Sequence, residues 1–512
     1  MWYDTSRAAS RDVQGSVSSL VAMWEDSRRR YADRTALVGS RHRLTYAEAG
    51  AQIDEAAATL SDMGVTRGTK IALFLHNDPG FVVAFFSVLK AGGVACLIAP
   101  QLSLRELSRV LSLLRPDLAI LGDLARRQQE RLPQVPTVEM DGHRLKPLRL
   151  NILPREPEAE LKDVAGLFCT SGTTGAPKAV MLSHDNLTSN TLAFRKHGAW
   201  TEHEVFGNPL PVWHISGAMV LSLVPISMGA TVVFLPRATP EAILKTVERE
   251  RITRFGGVPH IYATLNRFHH ADDYDVQSCR SWITGGAPLP ETVEAEFERK
   301  FNRRICHVYG MLEASPGIAS TLDDHSYPIG VVGRPLPGVK VEIRDASGAV
   351  LGDGRDGQVW IHSPGVMRGY YHDPDGTGRT VRNGWLDTGD IGHVGPDGAL
   401  RLSGRHKETM IVAGHNVYPT EIETVLLEDP MISDAAVAAL EDEVRGQEII
   451  AFAVPASNAR LAERDILARC RQVLVPYKVP RRVFLVDAIP RNETGKILRK
   501  ALLELVDLKR EN

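Results

Sequence analysis

Apolar and polar positions follow two alternating periods from residue 17 to about Tyr309. Ile71–Leu75 is a short apolar run that reads as a buried strand. Phe81–Lys90 reads as a helix that stops at Gly92-Gly93, and Val94–Ile98 is the next strand. Strand, helix and strand at this spacing predict βαβ units on a parallel sheet. The polar, proline-rich stretch Gln128–Glu160 interrupts the alternation and reads as a surface excursion, and the alternation resumes at Val164. The longest apolar run, Gly217–Leu235, contains Pro225, Ser227 and Gly229 and ends in Thr231-Val232-Val233. A bilayer span needs about 20 apolar residues. This run reads instead as a buried helix, a glycine stop and a buried strand, so no membrane insertion is expected.

After Gly330 short strands such as Val339–Ile343 and Gly357–His362 are separated by Gly, Asp and Pro turns, which predicts a small β-rich subdomain over about 330–404. The texture changes again at Gly404-Arg405-His406-Lys407. A compact mixed region follows: a helix at Thr420–Leu427, strands at Ala435–Ala439 and Ile449–Val454, a helix at Leu461–Val473 and a strand at Arg482–Val486. A chain of 512 residues exceeds one ordinary core. The expected fold is α/β: a large domain of parallel-sheet α/β subdomains with its β-rich subdomain (residues 1–406), then a small α+β domain (407–512), with the boundary at Lys407.

The formal charge of -2 argues against a nucleic-acid partner, which calls for a basic face, but leaves room for a local basic patch around an anion. The five cysteines are scattered and form no CxxC pair, which fits a reducing compartment rather than a zinc site. Met1–Ser10 lacks the apolar core of a secretory signal. The expected location is the cytoplasm.

The strongest chemical signal is Leu167-Phe168-Cys169-Thr170-Ser171-Gly172-Thr173-Thr174-Gly175-Ala176-Pro177-Lys178. An apolar strand runs into a loop of four hydroxyls, two glycines and a lysine. Glycines let backbone approach a ligand, hydroxyls and free N–H groups suit phosphate oxygens, and lysine adds a mobile positive charge. The P-loop NTPase pattern fails, because it needs Gly directly before Lys and Pro177 stands there. Thr170–Lys178 resembles the signature of the acyl-adenylate-forming superfamily, which holds acyl- and aryl-CoA ligases, peptide-synthetase adenylation domains and luciferases. In that family the loop closes over the β- and γ-phosphates of ATP.

Further segments resemble the family's motifs in order, across about Thr45–Lys496. Taken alone, each has a plain structural reading as a turn, a core residue or a basic tail; their order gives them weight. Pro211-Val212-Trp213-His214-Ile215-Ser216-Gly217 resembles the segment whose histidine borders the acyl pocket. Gly285-Gly286-Ala287-Pro288-Leu289 resembles the turn along adenine and ribose, and Tyr309-Gly310-Met311-Leu312-Glu313 the segment with an adenine-stacking aromatic and a magnesium carboxylate. Two departures stand out: Leu312 replaces the usual Thr, and His307 the usual Asn or Gln. Loss of the Thr hydroxyl costs about 0.5–1.5 kcal/mol if nothing replaces it. Trp385-Leu386-Asp387-Thr388-Gly389-Asp390 resembles the segment whose last carboxylate accepts both ribose hydroxyls, and Arg405 would contact ribose or phosphate. Lys407 falls at the family's hinge. Lys496, in Pro490–Lys496, falls at the lysine that enters the site when the small domain swings in.

The resemblance implies ATP and Mg²⁺ as cofactors, with Mg²⁺ held by Glu313 and Thr173, and CoA as the acceptor. Its chemistry joins two anions, a carboxylate and an α-phosphate, so cations aimed at the developing charge are the remedy. Lys496, Glu313 and His214 are the implied catalytic residues. The implied acyl pocket comprises His214, Ile215, Ser216, Val258, Pro259, His260, Tyr262, Gly285, Met311 and Ile318. That mixture of bulky and polar groups suits a small acid, aromatic or short, better than a long alkyl chain. Alternatives share the adenylation step and change the partner: a carrier protein, an amine, or nitrite activation for diazotisation of an aryl amine. A catalytically silent nucleotide-binding protein is the non-enzyme alternative.

Overall fold

The computed structural model describes residues 19–122, 135–146, 152, 158–169, 177–322, 324, 326–405, 408, 410–412, 415–442, 446–456, 461–492, 495 and 497–510. Two large sheets form the α/β body. The first has nine strands, in the order Arg334–Pro335, Gly317–Ser320, Ile305–Gly310, Ser281–Gly285, Arg254–Gly257, Val205–Asn208, Thr231–Phe234, Thr35–Val38 and Arg43–Thr45. Its centre, from Ile305–Gly310 to Thr35–Val38, is parallel, and its flanking strands are antiparallel. The second has eight strands, in the order Gly369–Tyr370, Ala179–Ser183, Val164–Cys169, Val94–Leu97, Lys70–Phe74, Leu118–Leu121, Thr137–Asp141 and Arg144–Leu145. Parallel centres bring many strand carboxyl ends to one edge, where ligands of open α/β sheets bind.

The helices start where their caps dictate. Thr45 and Glu48 form a reciprocal capping box on Tyr46–Asp62, and Asp78 caps Pro79–Lys90 with Pro79 in its first turn. Pro79 through Leu89 are all buried, so that helix lies within the main core rather than on its surface. A third sheet, Lys340–Arg344, Gly357–His362, Trp385–Val394, Val381–Arg382 and Leu400–Arg405, is antiparallel. A fourth sheet lies in the small C-terminal domain and holds Met410–Val412, His415–Val417, Ile432–Asp442, Gly446–Pro455 and Arg482–Leu485. Its helices Pro419–Leu427 and Glu463–Val473 share a core with it.

Two segments differ from the expectation. Within Gln128–Glu160, Thr137–Asp141 is a strand that extends the second sheet in parallel beside Leu118–Leu121. Val138 and Met140 alternate inward against the core, a short period-two pattern that the surrounding prolines and charges mask. Within Gly217–Leu235, Ser216–Leu223 winds as a wide π-helix before Val224–Ile226. The Gly217 carbonyl accepts from Asn208 Nδ2 (2.9 Å) and Ser222 Oγ (2.8 Å), so side chains satisfy a group that a regular α-helix pairs within itself. Such turns recur at functional sites.

Candidate functional site

Val164–Cys169 and Ala179–Ser183 form a hairpin with Cys169 opposite Ala179. Its tip, with Thr170, Ser171, Gly172, Thr173, Thr174 and Gly175, lies outside the described residues. Lys178 stands at the return of that hairpin. Its Nζ is 3.4 Å from Asp373 Oδ2 and 4.2 Å from the centre of the Tyr370 ring. Tyr370 is there because Gly369–Tyr370 adds to the edge of the second sheet, with Tyr370 opposite Val180. Asp373 caps the helix Pro374–Thr380 through the Gly376 N–H (2.7 Å), which with Lys178 holds its carboxyl below the usual carboxylate range.

The Tyr370 hydroxyl donates to Glu313 Oε1 at 2.8 Å. Glu313 sits in the turn Leu312–Ala314, which follows the strand Ile305–Gly310 of the other large sheet, and its carbonyl accepts from Met367 N–H (2.8 Å). Tyr370 thus joins the lysine of one sheet to the carboxylate of the other. Burial, and then the Glu313 charge, push its phenol far above the ordinary value, so it remains a donor at neutral pH. Among the described residues Glu313 Oε2 accepts no hydrogen bond.

A second constellation surrounds Asp390. This buried carboxylate accepts from the Tyr309 hydroxyl at 2.6 Å and lies 3.1 Å from Arg405 Nε. Asp390 and Arg405 face each other across the strands Trp385–Val394 and Leu400–Arg405. Thr388 Oγ1 accepts from the Asp390 N–H (3.1 Å) and donates to the Val359 carbonyl (2.8 Å), which fixes the turn before the carboxylate. Burial and the neighbouring Asp390 raise the Tyr309 phenol well above its ordinary value.

The third group is the segment before the π-helix. His214 N–H donates to the Pro211 carbonyl (3.0 Å), and Ser216 N–H donates to His214 Nδ1 (3.4 Å), which leaves the imidazole proton on Nε2. Burial lowers the His214 pKa to about 4, so the ring is neutral at pH 7. Asn77 and Asn208 hold the segment from both sides. Asn77 Nδ2 donates to the Leu210 carbonyl (2.8 Å) while its Oδ1 accepts from Val212 N–H (3.1 Å), and Asn208 Oδ1 accepts from Leu210 N–H (3.0 Å). A Cβ on Gly217 would fall inside contact distance of the Pro211 carbonyl oxygen and 2.7 Å from that of Leu210, so this close approach admits only glycine.

Of the remaining expected residues, Val258, Pro259, Gly285, Ala287, Gly310, Met311, Leu312 and Ser216 are half-buried, and Gly286, Pro288 and His260 are exposed. Gly286 turns the chain after Ser281–Gly285 with φ +82. Three of the residues expected around the acyl pocket, Tyr262, Ile318 and Ile215, are buried. Tyr262 and Ile318 have 0% exposure. The Tyr262 hydroxyl donates to the Ile283 carbonyl (2.5 Å) and its ring packs edge-on to Phe297, because its side of the helix Pro259–Arg267 faces the sheet. Ile318 packs with Tyr309 and Leu386, and Ile215 is buried in the main core. His307 turns its Nε2 to Glu294 Oε2 (2.8 Å) on the helix Glu291–Phe301. Lys407 and Lys496 lie outside the described residues. Beside Lys496, Arg491 donates to the Gly495 carbonyl (2.9 Å) and pairs with Asp434 (2.7 Å). Arg267 of the large domain donates to the Ser433 carbonyl of the small one (2.8 Å).

Sequence reasoning missed Tyr370, Asp373, Asn77 and Asn208. Asp373-Pro374 is a readable helix start, and could have marked the lysine's partner. Nothing local marks Tyr370, whose partners come from distant parts of the chain.

The AMP-binding enzyme model matches residues 24–371, and the AMP-binding enzyme C-terminal domain model matches residues 421–496. The chain belongs to the AMP-binding enzymes, the acyl-adenylate-forming superfamily. Like others of these AMP-binding enzymes, it is a ligase. It is 30% identical to a long-chain-fatty-acid–CoA ligase of Bacillus subtilis, over 95% of this chain and 94% of the relative. It is 31% identical to a feruloyl-CoA synthase of Amycolatopsis sp, over 89% of this chain and 92% of the relative. The ATP-bound structure of MatB from Rhodopseudomonas palustris superimposes with a TM-score of 0.86 at 27% identity, covering 95% of this chain and 99% of that one. Among the described residues no helix is long and apolar enough to cross a membrane.

Proposed function

We propose that this enzyme activates a small carboxylic acid, aromatic or short, with ATP and passes the acyl group to CoA. In the first step a carboxylate oxygen bonds to the α-phosphorus and the bond to the β-phosphate oxygen breaks, releasing pyrophosphate. In the second, the CoA sulfur bonds to the acyl carbon, AMP leaves, and the thiol proton passes to solvent. The observation that carries this reading is that Tyr370 joins Lys178 of one large sheet to Glu313 of the other, and that Glu313 follows by four residues Tyr309, which donates to the Asp390 carboxylate paired with Arg405.

The roles follow from charge and geometry. Lys178, with the Thr170–Gly175 loop before it, meets the leaving pyrophosphate. Asp390 accepts the ribose hydroxyls, and Arg405 holds that carboxylate in place. Tyr309 offers its ring to adenine. This remote anchoring fixes the α-phosphorus relative to the acid. Glu313 is a hard oxygen donor with one oxygen oriented by Tyr370, a donor type that fits Mg²⁺ completed by water and phosphate oxygens. When bound, Mg²⁺ neutralises phosphate charge and so lowers the repulsion between the two anions. Lys496 neutralises the charge developing between carboxylate and α-phosphate. His214, neutral and donating through Nε2, borders the acid. His214, Ser216 and the exposed His260 are polar groups among the residues expected around the acid, a composition that supports a small acid over a long alkyl chain.

The test is pyrophosphate release with Mg-ATP over aryl, short-chain and long-chain acids and nitrite, with and without CoA. Release with an aryl or short acid, and thioester only when CoA is present, is expected. A preference for long-chain acids overturns the substrate class, and release without thioester overturns the acceptor.

A further inference from the structure

We infer that Tyr370 is a positioning residue for the phosphate end of the site, setting the magnesium carboxylate and the phosphate-loop lysine with one side chain. This rests on the function proposed above. The Tyr370 hydroxyl donates to Glu313 Oε1 at 2.8 Å, and the Lys178 ammonium stands 4.2 Å from the centre of the same ring. Tyr370 is itself held tightly. It is 7% exposed, its N–H donates to Thr377 Oγ1 (2.8 Å), and that hydroxyl donates to the Asp373 carbonyl (2.9 Å). Asp373 in turn pairs with Lys178 (3.4 Å), so the lysine is gripped by a carboxylate and by an aromatic face.

The two contacts divide the work. The hydroxyl fixes one oxygen of Glu313 and leaves the other without a hydrogen bond among the described residues. A carboxylate with one anchored oxygen presents the second as a single directed ligand, whereas an unanchored one samples many rotamers. The ring face positions the lysine independently of the hydroxyl. Removing the hydroxyl therefore loosens Glu313 and leaves Lys178 seated, and removing the ring loosens both. Sequence spacing hides this arrangement, since Lys178, Glu313 and Tyr370 meet only because the edge strand Gly369–Tyr370 pairs beside Ala179–Ser183 and the Tyr370 side chain reaches Glu313.

Tyr370→Phe and Tyr370→Leu separate the parts. ATP binding is followed by calorimetry over a series of Mg²⁺ concentrations, and pyrophosphate release and thioester formation from synthetic acyl-adenylate are timed separately. Tyr370→Phe is expected to raise the Mg²⁺ needed for half-maximal ATP binding by about tenfold, from the loss of one hydrogen bond to a charged group. Its ATP affinity at saturating Mg²⁺ stays near that of the wild type. Tyr370→Leu loses ATP affinity even at saturating Mg²⁺. Thioester formation from acyl-adenylate, which involves no β- or γ-phosphate, changes less than twofold (roughly 0.4 kcal/mol) in Tyr370→Phe. An unmoved Mg²⁺ curve in Tyr370→Phe, or an equal fall in both half-reactions, overturns the inference. If the wild type binds Mg-ATP but releases no pyrophosphate with any acid, the proposed function fails, while the calorimetric Mg²⁺ shift still decides the role of Tyr370.

Discussion

Replacing Asp390 by alanine tests the ribose anchor. The carboxylate is 5% exposed and already accepts from the Tyr309 hydroxyl at 2.6 Å, with Arg405 Nε at 3.1 Å. An ionised carboxylate offers about four lone-pair sites, so it can accept ribose hydroxyls alongside protein donors. A hydrogen bond to a charged group contributes about 1.5–3 kcal/mol, and the two ribose bonds share one carboxylate and do not add fully. About 3 kcal/mol is then expected, roughly a hundredfold in the dissociation constant of ATP. Asp390→Asn keeps the shape and one acceptor and should lose roughly tenfold, about 1.4 kcal/mol. Calorimetric titration of each variant with Mg-ATP measures this directly. Because Arg405 is about half exposed, its side-chain exposure being 48%, it can turn to solvent, and the stability cost stays small beside the binding loss. Tyr309→Phe is the control: it removes one donor to Asp390 and retains the ring and the carboxylate, so ATP affinity should fall by less than about threefold. A folded Asp390→Ala protein that binds ATP within threefold of wild type (roughly 0.7 kcal/mol) would refute the anchor. The carboxylate would then serve only to hold Tyr309 and Arg405.

Three further outcomes follow from the same geometry. Lys496→Ala should bind ATP nearly as well as wild type and form acyl-adenylate far more slowly, and normal pyrophosphate release would remove Lys496 from the mechanism. Gly217→Ala should lose about 1–3 kcal/mol in denaturant unfolding, because the added methyl meets the Pro211 and Leu210 carbonyls, and an unchanged midpoint would contradict the close approach. His214 titrates near pH 4 in the folded chain against an ordinary value of 6.5, so its neutral form contributes stability that is present above about 6.5 and lost as pH falls towards 4. Unfolding midpoints of wild type and His214→Gln, compared between those limits, should show a weaker acid dependence in the variant; parallel curves would contradict the assignment.

Much of the fold was legible because its elements announce themselves locally. Apolar runs, glycine stops and caps such as Thr45–Glu48 and Asp78-Pro79 define their own boundaries within a few residues. Thr137–Asp141 was hidden because two inward residues in a proline-rich setting give too short a period to read. The candidate site was easiest to name where one segment carries several expected residues, as in Tyr309–Glu313. It was opaque where a role depends on which way a side chain turns. Tyr262 and Ile318 carry no local sign of which way they turn, and helix phase and strand alternation place both side chains in the interior. His307 sits two residues before Tyr309 and finds Glu294, a partner that only the packing of Glu291–Phe301 supplies. Tyr370 is the converse case, a residue without a local signal that tertiary pairing brings between Lys178 and Glu313.

The central claim is that an acyl-adenylate forms before any acceptor is needed. Acid-dependent exchange of labelled pyrophosphate into ATP, measured without CoA, tests it most directly. The account predicts exchange that requires both the acid and Mg²⁺ and proceeds in the absence of CoA. Exchange that appears only when CoA is present, or release of ADP and phosphate in place of AMP and pyrophosphate, would contradict it.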